Sequence, residues 1–244
     1  MTLRSGLIGG AVVCGFLMST EVLARCDKPP LSSEFGYSVC KDWPAYPGLS
    51  ITALSQLEPR PSSDSSGPDG IYDLDLALVS TDGSKPVATY HRASVFESDA
   101  IALEGLQLDT AQYKLTSELR AFGLRVLFKG SSRINPFDQT LLSLYVKDGE
   151  MVRPVMDRLV TYQYSGEWDG NCAGERSEVV RTIEIGKTSS HGYADLIVKS
   201  VSTATVGEGE GEACQSRSTK AKPVLSTLQY DGKQYVVPEA LRGF

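Results

Sequence analysis

Histidine is nearly absent from this chain: among 244 residues only His91 and His191 occur. A zinc site built mainly from imidazoles is thereby excluded, and a mixed one would have to recruit carboxylates from distant segments. Also missing are a His-Glu-x-x-His helix, a Gly-x-Ser-x-Gly elbow, a glycine-rich phosphate loop and a dinucleotide fingerprint. A Ser/His/Asp triad does not need its members close in sequence, but neither histidine stands beside a recognisable nucleophile turn. No apolar run reaches the roughly 20 residues that a bilayer-spanning helix requires. No basic cluster offsets the formal net charge of -6, which argues against nucleic acid and against an anionic membrane surface as partners.

What is present begins with a signal-peptide pattern. Arg4 precedes an apolar run from Gly6 to Met18, and Val22-Leu23-Ala24 supplies aliphatic or small residues at the recognition positions. Cleavage after Ala24 and a periplasmic or secreted mature protein are expected. Cys14 follows Val13 and Cys26 follows Arg25, so neither has the small preceding residue of a lipid-anchored cysteine. The mature chain keeps Cys26, Cys40, Cys172 and Cys214, an even number that in an oxidising compartment reads as two disulfides. Three connectivities are possible, of which the local pairing 26 with 40 and 172 with 214 is the simplest.

Residues 25–70 read as an irregular segment, rich in Pro and Ser and closing on the linker PRPSSDSSGPDG, and residues 71–244 as a β-rich globular domain. In IYDLDLALV, Tyr72, Leu74, Leu76 and Leu78 share one face and Asp73, Asp75 and Ala77 the other, as a half-buried strand requires. The period recurs in Phe122, Leu124, Val126 and Phe128, and again in Leu142, Leu144 and Val146. Asp82-Gly83, Asp148-Gly149 and Asp231-Gly232 each predict a tight type I′ hairpin turn. Thr110 to Arg120 and Arg153 to Asp157 are compatible with short helical turns. The expected fold class is all-β: an antiparallel sandwich or barrel-like sheet with hairpins, disulfide-stapled loops and at most short helical turns.

The stretch GEWDGNCAGE, Gly166 to Glu175, concentrates carboxylates, a tryptophan and a cysteine between glycines. Glu167 and Asp169 form a carboxylate pair of the kind glycoside hydrolysis uses, and Glu167, Asp169, Asn171 and Glu175 offer oxygens to calcium. The spacing does not follow the repeating Asp-x-Asp pattern of dedicated calcium loops, so no metal or cofactor is assigned, with calcium as the alternative. Upstream of Cys214, Glu208, Glu210 and Glu212 alternate with glycine and read as a solvated loop or a contact for a basic partner. Trp168, Tyr164 and Tyr162 lie beside these loops, and aromatics of this kind give large contact areas with few rotamers to freeze. Trp43, Tyr46 and Tyr37 do the same near the first cysteine pair. Arg120, Arg125 and Arg133 are candidates for an anion, or for ion pairs with the many carboxylates.

HGYADLIVKS, with His191, Gly192, Tyr193, Asp195 and Leu196, and the later LQYDGKQYVVP, Leu228 to Pro238, resemble units of the FG-GAP or VCBS type in exported bacterial proteins. That resemblance implies a β-propeller blade or adhesion module, with Asp195 as the one matching acidic position. The Asp-rich calcium run of those units is replaced here by Lys187-Thr188-Ser189-Ser190-His191-Gly192. The stretch Leu108 to Val126 is similar to parts of exported β-rich proteobacterial proteins, which implies no particular activity.

The sequence therefore points to a non-catalytic exported β protein that binds a protein or another component of the cell envelope, as an inhibitor, accessory or immunity-type factor. The expected binding surface comprises Trp168, Glu167, Asp169, Tyr164, Glu208, Glu210 and Glu212. The alternatives are a carboxylate-dependent hydrolase of cell-wall or polysaccharide substrates, with Glu167 and Asp169, and a calcium-stabilised adhesion module. Oligomeric state is left open.

Overall fold

A computed structural model describes residues 26–32, 34–58, 67–81, 85–209 and 213–244. The signal segment, most of the Pro/Ser linker, the Asp82-Gly83 turn and Glu210 and Glu212 lie outside the described residues. Within them the chain is all-β, a single open sheet of 12 strands. In chain order these are β1 (Gly36–Asp42), β2 (Leu49–Gln56), β3 (Gly70–Ser80), β4 (Pro86–Ser98), β5 (Ile101–Lys114), β6 (Arg120–Gly130), β7 (Phe137–Asp148), β8 (Met151–Trp168), β9 (Gly174–Ser190), β10 (Tyr193–Glu208), β11 (Gln215–Lys220) and β12 (Val224–Leu228).

The first eight strands run β1-β2-β3-β4-β8-β7-β6-β5. Their pairs are antiparallel except β4 with β8, which touch through the single parallel pair Thr89 and Met151. The sheet curls until β1 faces β5, and side chains rather than a ladder bridge the gap. Tyr37 donates its hydroxyl to the Leu103 carbonyl, and Lys41 Nζ donates to the Leu108 carbonyl at 3.2 Å. The curl encloses a first core in which Tyr72, Leu74, Leu76 and Leu78 of β3 meet Phe122, Leu124, Val126 and Phe128 of β6. These are the two alternating faces that the sequence predicts.

β7 behaves differently. Leu142, Leu144 and Val146 do share a face, but Leu141 and Tyr145 on the opposite face are equally buried. The outer face belongs to a second core, formed with Val155, Met156 and Leu159 of β8, Leu196 and Val198 of β10, Leu228 of β12, and Tyr230 and Tyr235. β9, β10 and β12 thus lie over β7 and β8 as the second layer of a sandwich. Gly123 on β6 leaves space for this layer's packing, since a Cβ there would stand 2.6 Å from Leu142 Cδ1.

Several sequence expectations are corrected. β1 and β2 lie inside the segment read as irregular, 25–70, so the ordered fold begins well before Ile71. Their pattern was obscured because Ser50, Thr52 and Ser55 are buried hydroxyls, bonded to Asp42 Oδ1 and to the Ala77 and Asp73 carbonyls. Such satisfied hydroxyls make a buried strand look polar. Thr110 to Lys114 and Arg153 to Asp157 are strand rather than helical turns, and a short 3-10 turn occurs at Glu239–Leu241. Asp148 pairs with Met151, so the β7–β8 turn consists of Gly149 and Glu150, with positive φ (61°) at Gly149 but not at Glu150. That is the type II′ requirement, not type I′. The type I′ turn occurs at His191-Gly192, where φ is 48° and 83° and Ser190 pairs with Tyr193. Around Asp231 only Tyr230 and Tyr235 bridge, and Asp231 Oδ1 accepts the backbone N–H groups of Lys233 and Gln234 at 2.8 Å each.

Both cysteine pairs lie at disulfide distance, Cys26 with Cys40 (Cα–Cα 5.7 Å) and Cys172 with Cys214 (5.6 Å). Of the arginines considered for an anion, Arg125 is committed elsewhere. It donates to Asp109 Oδ2 from Nε (2.9 Å) and Nη2 (2.6 Å), and Tyr113 donates to the same oxygen at 2.9 Å. Burial alone would raise the Asp109 pKa, but the Ala111 N–H, the Arg125 guanidinium and the Tyr113 hydroxyl together hold it below the ordinary range. A depressed folded-state pKa stabilises the fold above the unfolded carboxylate pKa of about 4, and that contribution is lost as pH falls through the folded value. Urea midpoints measured from pH 7 down to pH 3 are therefore expected to fall less steeply for Asp109→Asn than for the native chain, from a lower starting value. Equal slopes would remove Asp109 from the acid response.

Candidate binding surface

Beyond Thr161, β8 leaves the first core and continues as part of the second layer, with β9, β10 and β11 on one side and the end of β7 on the other. The register aligns residues across five strands. Asp138, Tyr164, Glu178, Thr203 and Lys220 form one row. Gly166, Arg176, Thr205 and Ser218 form the next, and Trp168, Gly174, Gly207 and Ser216 the one beyond. Because side chains alternate along each strand, these residues and Tyr162 share one face of the sheet.

The end of β8 explains GEWDGNCAGE. Trp168 donates its N–H to the Ile134 carbonyl at 2.7 Å, which ties the β6–β7 loop to the strand. The chain then turns through residues 169–173 and re-enters β9 at Gly174. Asp169 holds that turn: its N–H reaches the Ala173 carbonyl at 2.9 Å, and its Oδ1 accepts the N–H groups of Asn171 (2.7 Å) and Cys172 (2.8 Å). These donors, Asn171 first, depress the Asp169 pKa. A carboxylate held ionised by its own loop suits a turn cap and not a general acid.

The glycines opposite Trp168 make room for this loop. A Cβ on Gly207 would stand 2.2 Å from the Cys172 carbonyl oxygen and 3.3 Å from Trp168 Cζ3; one on Gly174, whose φ is 152°, would stand 2.2 Å from the Glu167 carbonyl oxygen and 3.0 Å from Trp168 Cε3. The indole thus lies against bare backbone on two neighbouring strands. The Arg176 guanidinium covers it from the adjacent row, 4.2 Å from the ring centroid, a cation–π contact of about 0.5–2 kcal/mol. Arg176 Nε is buried and has no hydrogen-bond partner among the described residues.

Of the sequence candidates, Trp168 and Tyr164 are brought together on this face. Glu167 projects from the opposite face, directly across from Glu175, and Glu208 lies on that opposite face too. Asp169 caps the loop. Trp43 is buried in the first core against Tyr46 (4.5 Å) and Phe122 (5.2 Å), far from this surface in the sheet order. The stretch resembling FG-GAP units places Asp195 in a β10 bulge, 2% exposed, where Thr188 donates its hydroxyl to Oδ2 at 2.5 Å. Among the described residues no group of three or more His, Cys, Asp or Glu side chains gathers as a metal site. His91 pairs with Asp75 at 2.8 Å on exposed surface, and His191 Nδ1 lies 2.8 Å from the Tyr230 carbonyl.

The residues that sequence reasoning missed are Asp138, Arg176, Glu178, Thr203, Thr205, Ser216 and Ser218. With Tyr162 and Tyr164 they line a furrow of about 430 Å³. The Tyr162 pKa is raised, first by burial and then by Glu178 and Asp138, so its hydroxyl stays a donor at neutral pH. Adjoining the furrow through Asp138 is a hollow of about 640 Å³, whose walls include Lys129, Ser131, Ser132, Arg133, Trp168 and Gly170. The opposite face carries a hollow of about 670 Å³ between β10 and β11. It is lined by Ala204, Val206, Gly209 and Ala213 together with the polar residues Glu208, Gln215, Ser216, Arg217 and Thr219. Compared with protein-family models, curated proteins and solved structures, the chain matches none.

Proposed function

We propose that this chain is an exported, non-catalytic β protein that binds another macromolecule of the cell envelope through the Tyr162–Tyr164–Arg176 face of β8 to β11. The observation that carries the reading is the row structure of that face: aromatic, hydroxyl and charged side chains from five strands converge on one furrow. Strand pairing fixes their backbones, so binding costs side-chain rotamer entropy but no backbone ordering. The signal-like N-terminus and the two disulfides support export. The opposite face brings Glu167 against Glu175 directly across the strands, an arrangement that is mildly destabilising in a sheet.

The test immobilises residues 25–244 and exposes them to solubilised envelope extract. A saturable component is expected to be retained by the native chain and reduced about tenfold by Tyr164→Ala, a truncation of the size seen at binding hot spots, with an unchanged far-UV spectrum. Retention of nothing saturable, or retention indifferent to Tyr164→Ala and Thr205→Arg alike, would refute the assignment.

A further inference from the structure

The hollow beside the furrow is lined by two cations, Lys129 and Arg133, and one carboxylate, Asp138, which stands across from Lys129 in the β6–β7 register. Lys129 and Arg133 both line it, both are exposed, and neither makes an ion pair or hydrogen bond among the described residues. These three charged side chains leave the hollow with one net positive charge in a protein of formal net charge -6. Ser131 and Ser132 add hydroxyls beside them, and the Trp168–Arg176 stack separates this basic end from the furrow.

We infer that the ligand of this surface is an acidic polysaccharide, whose sugar hydroxyls lie along the furrow and whose carboxylate groups meet Lys129 and Arg133. The inference rests on the binding reading above and names the substance bound. The furrow supplies Thr203, Thr205, Ser216, Ser218 and Tyr162 hydroxyls, which donate and accept, together with the carboxylates Asp138 and Glu178, which accept only. That inventory matches sugar rings, whose vicinal hydroxyls are donors and acceptors at close spacing. The guanidinium of Arg133 presents a planar fork to a carboxylate, and such charge-assisted bonds are about twice as strong as neutral ones.

The hydroxyl lining also disfavours other polymers. A single-stranded DNA has no free hydroxyl on its internal sugars to meet the Thr, Ser and Tyr hydroxyls of the furrow. An acidic peptide would need side-chain pockets, whereas the furrow floor is a flat ladder of Tyr, Thr and Ser. From β6, which carries Lys129, to β11 the path crosses five strand intervals, roughly 24 Å at about 4.8 Å each, long enough for several sugar rings.

Isothermal titration of residues 25–244 with oligogalacturonate, with a neutral maltooligosaccharide of equal length, with polyglutamate and with oligothymidylate decides the matter. Oligogalacturonate is expected to bind saturably, at least about tenfold more tightly than the other three, and to weaken about tenfold in Lys129→Ala/Arg133→Ala and on raising the salt from 50 to 500 mM. The inference is overturned if oligogalacturonate does not bind, if polyglutamate or oligothymidylate binds as well, or if the double variant leaves its affinity unchanged. If the envelope component retained through Tyr164 is a protein, the inference falls and the binding reading stands. If nothing is retained and no oligomer binds, both fall.

Discussion

Cys172→Ser/Cys214→Ser is expected to lower the unfolding free energy by about 3–4 kcal/mol, more than Cys26→Ser/Cys40→Ser, at about 3 kcal/mol or less. The bridges close loops with sequence separations of 42 and 14, and on the chain-entropy model the longer closure gives about 4 kcal/mol and the shorter about 3. The location of the second bridge adds a local consequence. Cys172 is 2% exposed and its carbonyl packs where a Cβ of Gly207 would be, beside Trp168. Opening the bridge releases the 169–173 turn from the end of β10, so Trp168 emission is expected to shift to the red before global unfolding, with Trp43, 1% exposed in the first core, unchanged. Urea titrations of the two double variants, followed by tryptophan emission and by far-UV dichroism, check both effects. A larger loss from the first bridge, or coincident curves from both probes, would contradict the account.

Much of the first core was legible because one physical rule governs it. β3, and β6 from Leu124 to Phe128, bury one face only, and period-two alternation reports one buried face. β7 shows where the rule fails: TLLSLYV buries both faces, so the continuous apolar run carries no information on which side meets which core. The binding surface divides the same way. Tyr162, Tyr164 and Trp168 sit two or four residues apart on one strand, so their common face follows from sequence. Asp138, Arg176, Thr203 and Ser218 join them only through the registers of β7, β9, β10 and β11. Register is a non-local property: a slip of one residue would have sent Arg176 to the far side and brought Glu175 to the furrow. Glu167, next to Trp168 in sequence, lies on the other face by the same local alternation that groups Tyr162, Tyr164 and Trp168.

The second core links stability to that surface. Leu144→Ala is expected to cost about 3–5 kcal/mol, the range for emptying a well-packed leucine site. Leu144 is 0% exposed and sits with Leu142 and Val146 on the β7 face that carries Leu196, Val198 and Leu228 of the covering layer. Tyr145→Ala should cost a similar amount, because its ring is buried between Phe122 (5.6 Å) and Tyr90 (5.6 Å) in the first core. Urea midpoints alone therefore do not separate the two variants, but amide exchange does. Leu144→Ala should raise exchange first in β10 and β12, whose apolar residues lose their partner, while Tyr145→Ala should raise it in β4 and β6. Because β10 carries Thr203 and Thr205, the Leu144 variant should also loosen the furrow and weaken binding at temperatures where most molecules remain folded. The Tyr145 variant of equal stability should bind normally under the same conditions. If both weaken binding alike, the two cores act as one cooperative unit and the surface has no separate support.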